Sequence, residues 1–174
     1  MAYYSIGSYC RDVGITILGS LGMGLMLALA ADLVMVKKAS AASERLLIEQ
    51  ASEANVGVPV LWARRGAAGC KQNLLGFYDR LNKRIVMCED SIDDRAEMIE
   101  TLKHEVWHGV QHNCNGGQSV LSDHQIRLGL RPTDRSVMHD HYEAYKHRLE
   151  GEARTVSQLP TPNFLHGLER YCAF

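Results

Sequence analysis

The sequence carries no excess of either charge, with 19 basic residues against 20 acidic ones and a net charge of -1. Its basic residues come at most in pairs, such as Lys37-Lys38 and Arg64-Arg65. A nucleic-acid surface needs clustered Lys and Arg to displace counterions from phosphates, so no nucleic-acid partner is expected. No segment repeats another, which sets aside solenoids and propellers. What remains is a chain of 174 residues, 46% of them apolar, enough for one globular domain with a core.

Charge is also missing from the whole of Val13 to Ala31. At 1.5 Å per helical residue such a stretch is about as long as a bilayer core is thick. Residues 13–36, closed by Lys37-Lys38, therefore suit a membrane anchor. They equally suit a signal peptide, with Arg11 before an apolar run from Ile15 to Leu27 and a small-residue cleavage site at Ala28-Leu29-Ala30. A buried core helix is the third alternative. Two rules disagree about the compartment. Lys37, Lys38 and Arg45 follow the segment and only Arg11 precedes it, which would leave an anchored domain in the cytosol. The even set Cys70, Cys88, Cys114 and Cys172 suits two disulfides on an oxidising side. The cysteines carry more weight, and the expectation is an extracytoplasmic protein, secreted or anchored. Their pairing stays open among three possibilities.

Residues 37–43 are small and polar, so a linker ends near Ala42, giving an N-terminal region 1–42 and a working domain 43–174. Ser43 and Glu44 start a helix that runs to about Ala54, with Gly57 after it. Val58 to Trp62 is a short β-prone run whose Pro59 marks a strand start or an edge. Gly76 to Asp79 and Arg84 to Cys88 flank a polar turn and predict an antiparallel hairpin; Cys70 and Cys88 flank it in turn, so that a bridge between them is conceivable, a pair of core cysteines being the alternative. From about Ser91 the period becomes helical. Met98, Ile99, Leu102, Val106 and Val110 form one apolar face, and Asp93, Asp94 and Glu97 sit at the favourable end of the dipole. Gly116-Gly117 ends this helix, and a short element follows at Asp123 to Leu128. A second long helix is expected from about Arg135 to Leu159, closed by Pro160 and Pro162, before a short tail element at Asn163 to Tyr171.

The first long helix carries His104-Glu105-Val106-Trp107-His108, a full match to H-E-x-x-H. Histidines at i and i+4 lie one above the other and can share one metal, and zinc accepts two such nitrogens without bending the backbone. Glu105 is placed to take a proton from a water rather than to bind the metal. With Leu102 at zero on the helical wheel, His104 and His108 fall near roughly 200° and 240°, away from the apolar face. They should therefore look into a cleft bounded by the second helix.

A catalytic zinc usually has three protein ligands, so one more is needed. His112 is about 12 Å along a straight helix from His104, too far to join. The extension H-E-x-x-H-x-x-G-x-x-H also fails, since Gln111 stands at its glycine and Cys114 at its last histidine. Glu143, Glu150 and Glu152 lie on the second helix. Only Glu152 falls on the apolar side when Leu149 is set at zero, and a carboxylate there must be paired or bound to metal. Glu152 is the expected third ligand and Glu150 its competitor.

These features resemble the zincin metallopeptidases of the gluzincin type, over roughly residues 76 to 157: the hairpin ending Ile85-Val86-Met87-Cys88, the helix with HEVWH, and Glu152-Ala153 downstream. The resemblance implies an α+β domain with a small antiparallel sheet, an edge strand that binds extended substrate, one zinc ion per chain, and peptide-bond hydrolysis of a peptide or protein substrate. It also implies a tyrosine or histidine near the oxyanion, for which Tyr142, Tyr145, His139 and His141 are available. The alternative is a secreted or membrane-tethered domain that binds metal for structure, without turnover.

Overall fold

The structure, a computed structural model, describes residues 43–141 and 147–172. The apolar segment 13–36, with its anchor and signal-peptide readings, the residues up to Ser43, and Glu143, Tyr142 and Tyr145 lie outside these residues, as do the side chains of Met138, His139 and His141. The chain divides into units 1–42 and 43–174, and the second holds every element that follows.

The apolar positions after Ser43 form helix α1 (residues 43–51), which widens into a π-helical turn at Ser52–Val56. Gly57, at φ 70°, caps the turn in the left-handed conformation that glycine adopts without strain. Ile48 and Val56 are buried, and Ser52 Oγ donates to Val58 O at 2.7 Å.

Three strands follow: β1 (Val60–Ala63), directly after Pro59, β2 (Gly76–Asp79) and β3 (Arg84–Cys88). The order is β1-β3-β2. β2 and β3 form the expected hairpin, with Phe77 opposite Val86. The expectation of an antiparallel sheet fails at β1, which runs parallel to β3 with Leu61 opposite Val86. A hairpin is written in a local turn, whereas β1 reaches β3 only after a loop and an intervening strand. Alternation along β3 separates two cores. Ile85 and Met87 join Leu102, Val106, Trp107 and Phe164, while Val86 and Cys88 meet Ala63, Cys70, Leu74 and Phe77 on the other face.

Helix α2 (Arg95–Gly109) begins after a 3-10 turn at Glu89–Ser91. Asp94 caps it by accepting from Glu97 N, and Ile99, Leu102, Val106 and Val110 are buried as the periodicity requires. It continues as a π-helical turn, Val110–Cys114, before Gly116 and Gly117 turn the chain at positive φ. Helix α3 (Asp123–Gly129) opens with a capping box between Ser122 and Gln125.

Helices α4 (Pro132–His141) and α5 (His147–Ser157) occupy the stretch where one long helix was expected. In a continuous helix Asp134 and Arg154 would stand about 30 Å apart. They form an ion pair at 3.3 Å, and Gln158 Nε2 donates to the same carboxylate, so the start of α4 lies against the end of α5. The tail is a full helix, α6 (Thr161–Cys172), whose Phe164 and Tyr171 pack on Trp107 with ring centroids 6.2 and 5.9 Å away.

The domain is thus mixed α+β, mostly helical, with a small three-stranded sheet. Disulfides join Cys70 to Cys88 and Cys114 to Cys172, which suits an oxidising compartment. Among the described residues no helix is long and apolar enough to cross a membrane.

Candidate metal centre

The burial of Leu102, Val106 and Val110 turns the opposite side of α2 toward α5, the helix it packs against most extensively. Ala153 of α5 is buried in the same core as Leu102 and Val106 of α2. His104 and His108 stand one turn apart on this side, with side chains 16% and 14% exposed, enough to be reached from solvent. Their rings meet edge to face, and the two Nε2 atoms are 3.2 Å apart.

Glu150 completes the group. Its Oε2 lies 3.4 Å from His104 Nε2 and its Oε1 lies 3.4 Å from His108 Nε2. Oε2 is buried and accepts no hydrogen bond from the described residues. An unsatisfied buried carboxylate oxygen is costly, and a cation between the three side chains would satisfy it. His104, His108 and Glu150 are accordingly a group that could hold a metal ion.

Electrostatics follow from the same proximity. Burial pushes His108 down, but the close approach of Glu150, the charges of Glu105 and Glu150 and the contact with Gln111 outweigh it and raise its pKa to about 9. Burial pushes Glu150 up, and the close approach of His104 and His108, with their charges, holds it far below the usual carboxylate range.

Glu152, the expected third ligand, is elsewhere. It is fully buried, as its register demanded, but its carboxylate accepts from Gln111 Nε2 at 2.7 Å, Val120 N at 2.8 Å and Leu121 N at 2.6 Å. The premise that a buried carboxylate needs a partner holds, and the partners are N–H groups. Facing α2 is the property that brings a residue to the histidines, and Glu150 has it. Sequence reasoning missed Gln111 altogether. Its spacing three residues after His108 puts both on one side of the helix, which was the available signal.

Glu105 lines two cavities of about 480 and 520 Å³ that share Gly76, His104 and Glu105 and so form two arms of one cleft. One wall is the edge strand β2, through Gly76, Phe77 and Tyr78; the other includes Leu149 and Glu150 of α5. His112 lines the same cleft but stands apart from the metal group, stacked on Tyr78 with centroids 5.6 Å apart. Burial lowers its pKa, helped by the nearby Arg80 and His108 charges.

Compared with protein-family models, with curated proteins and with solved structures, the chain matches none.

Proposed function

We propose that this protein is an extracytoplasmic zinc-dependent peptidase of the zincin-like kind, with His104, His108 and Glu150 as metal ligands and Glu105 as general base. One observation carries this. Ligand atoms about 2.0–2.1 Å from a single zinc ion lie about 3.3–3.4 Å from one another along the edges of a tetrahedron. The two nitrogens are 3.2 Å apart, close to such an edge, and each lies 3.4 Å from a different oxygen of Glu150, Oε2 beside His104 and Oε1 beside His108, so the carboxylate closes the group on its third side. Three protein ligands leave a position for water, whereas a purely structural site is closed by four. The group with Glu105 beside it in an open cleft therefore favours turnover over the structural alternative.

A bound zinc would supply Lewis acidity toward the scissile carbonyl and the attacking water. Glu105 takes a proton from that water and delivers it to the leaving amine. The outer edge of β2 offers backbone groups to an extended peptide running along the cleft. Neither step needs an organic cofactor.

The test is the zinc content of the protein with its disulfides intact, together with cleavage of an unstructured protein by wild type and Glu105→Gln. Both should bind one zinc per chain, and the variant should lose about 10²–10⁴-fold in rate. A wild type that takes up no zinc on reconstitution, or a variant that cleaves as fast, would overturn the assignment.

A further inference from the structure

Gln111 and Glu152 are both fully buried, so their hydrogen bonds must be complete within the protein. The amide of Gln111 has one end that donates and one that accepts. The end nearer α5 contacts Leu149 O at 2.9 Å and Glu152 Oε2 at 2.7 Å. A backbone carbonyl only accepts, so the end that meets Leu149 O is the NH2 group, and the same group donates to Glu152 Oε2. The other oxygen of Glu152 meets two backbone N–H groups, from Val120 and Leu121, that can only donate, so both ends of this carboxylate act as acceptors. The far end of the amide is then Oε1, 2.8 Å from His108 Nδ1. An oxygen there requires Nδ1 to carry the hydrogen. The lone pair of neutral His108 is left on Nε2, the atom that faces His104 and Glu150.

We infer that Glu152 and Gln111 are positioning residues for the metal site, the acceptor-only carboxylate orienting the amide and the amide fixing which nitrogen of His108 is free to bind metal. This rests on the metal reading of His104, His108 and Glu150. It also gives the buried carboxylate a role that glutamine could not fill. In Glu152→Gln the new NH2 group would face the NH2 of Gln111. Relief comes from turning the Gln111 amide over, which presents a donor to His108 Nδ1, moves the ring hydrogen to Nε2, and sets Oε1 against Leu149 O. Gln111→Met removes the acceptor at Nδ1 while leaving the Val120 and Leu121 contacts of Glu152 in place.

The experiment compares wild type, Glu152→Gln and Gln111→Met by competition for zinc with a chromophoric chelator, and follows the His108 Nδ1–H resonance in zinc-loaded protein. Loss of a partner that orients a metal-bound histidine typically costs about 10–100-fold in affinity. That fall is expected in both variants, with the Nδ1–H signal shifted or lost by exchange while core amides stay protected. Should Glu152→Gln not fold, Gln111→Met carries the same test. Zinc affinity equal to wild type with the Nδ1–H signal unchanged overturns the positioning role alone. A wild type that takes up no zinc instead overturns the metal reading, and the positioning role with it.

Discussion

His108 Nε2 stands 3.4 Å from Glu150 Oε1 across the interface of α2 and α5, and the other oxygen of that carboxylate stands 3.4 Å from His104 Nε2. A ligand role for Glu150 predicts that Glu150→Gln, which keeps the volume and loses the anionic donor, weakens zinc binding by more than the ~10–100-fold cost of an outer-shell loss. Glu152→Gln should fall within that smaller range. Equilibrium competition with a chelator measures both, and a Glu150→Gln protein that holds zinc as tightly as wild type would remove Glu150 from the site.

Proton release gives a second measurement. Without metal, His108 has a pKa raised to about 9 and carries a proton at neutral pH, which the metal must displace. Zinc affinity should rise with pH up to about 9 and then level off as His108 becomes neutral. Calorimetry near neutral pH, in two buffers with different heats of ionisation, should reveal about one proton released per zinc from this group. Identical heats in the two buffers would contradict it.

Much of this site was legible because it depends on local period. The H-E-x-x-H spacing, the apolar face through Leu102 and Val106, and the Asp94 cap are all set within one helix. His112 could be excluded from the ligands by helical rise alone. Which carboxylate of α5 joins the two histidines was not legible, because register tells which side of α5 is buried but not which neighbour lies against it. Glu152 meets the N–H groups of Gln111, Val120 and Leu121, and Glu150 meets α2. The parallel pairing of β1 with β3 and the separation of α4 from α5 were hidden for the same reason, since both depend on contacts between residues far apart in sequence.

The disulfides predict unequal losses on reduction. Cys70 and Cys88 are 18 residues apart and Cys114 and Cys172 are 58 apart. In the loop-entropy account these closures contribute about 3 and about 4 kcal/mol. Together they are comparable to the whole stability of a typical domain, about 5–15 kcal/mol. Replacing Cys114 and Cys172 with alanine should therefore lower the denaturation midpoint more than replacing Cys70 and Cys88. Urea unfolding with and without reductant checks this, and a midpoint insensitive to reductant would show that neither bridge contributes.

The packing of α3 on α5 gives the last prediction. A Cβ built on Gly129 would lie 2.1 Å from Thr155 Cγ2, and 3.2 and 3.3 Å from that residue's Cβ and Oγ1. Alanine at 129 must push the two helices apart or force Thr155 from its rotamer, and overpacking of this kind costs about 1–3 kcal/mol. Thr155 Oγ1 also donates to Ile126 O at 3.3 Å, so a change of rotamer loses that bond as well. Thr155→Ser removes Cγ2 and keeps the hydroxyl. The double variant Gly129→Ala/Thr155→Ser should recover most of the stability lost by Gly129→Ala, a coupling that a double-mutant cycle in urea isolates. Because α5 carries Glu150 and Glu152, the single variant should also bind zinc more weakly, and the double variant should regain that affinity. Additive effects of the two substitutions would mean that the clash is relieved by movement elsewhere, without strain on α5.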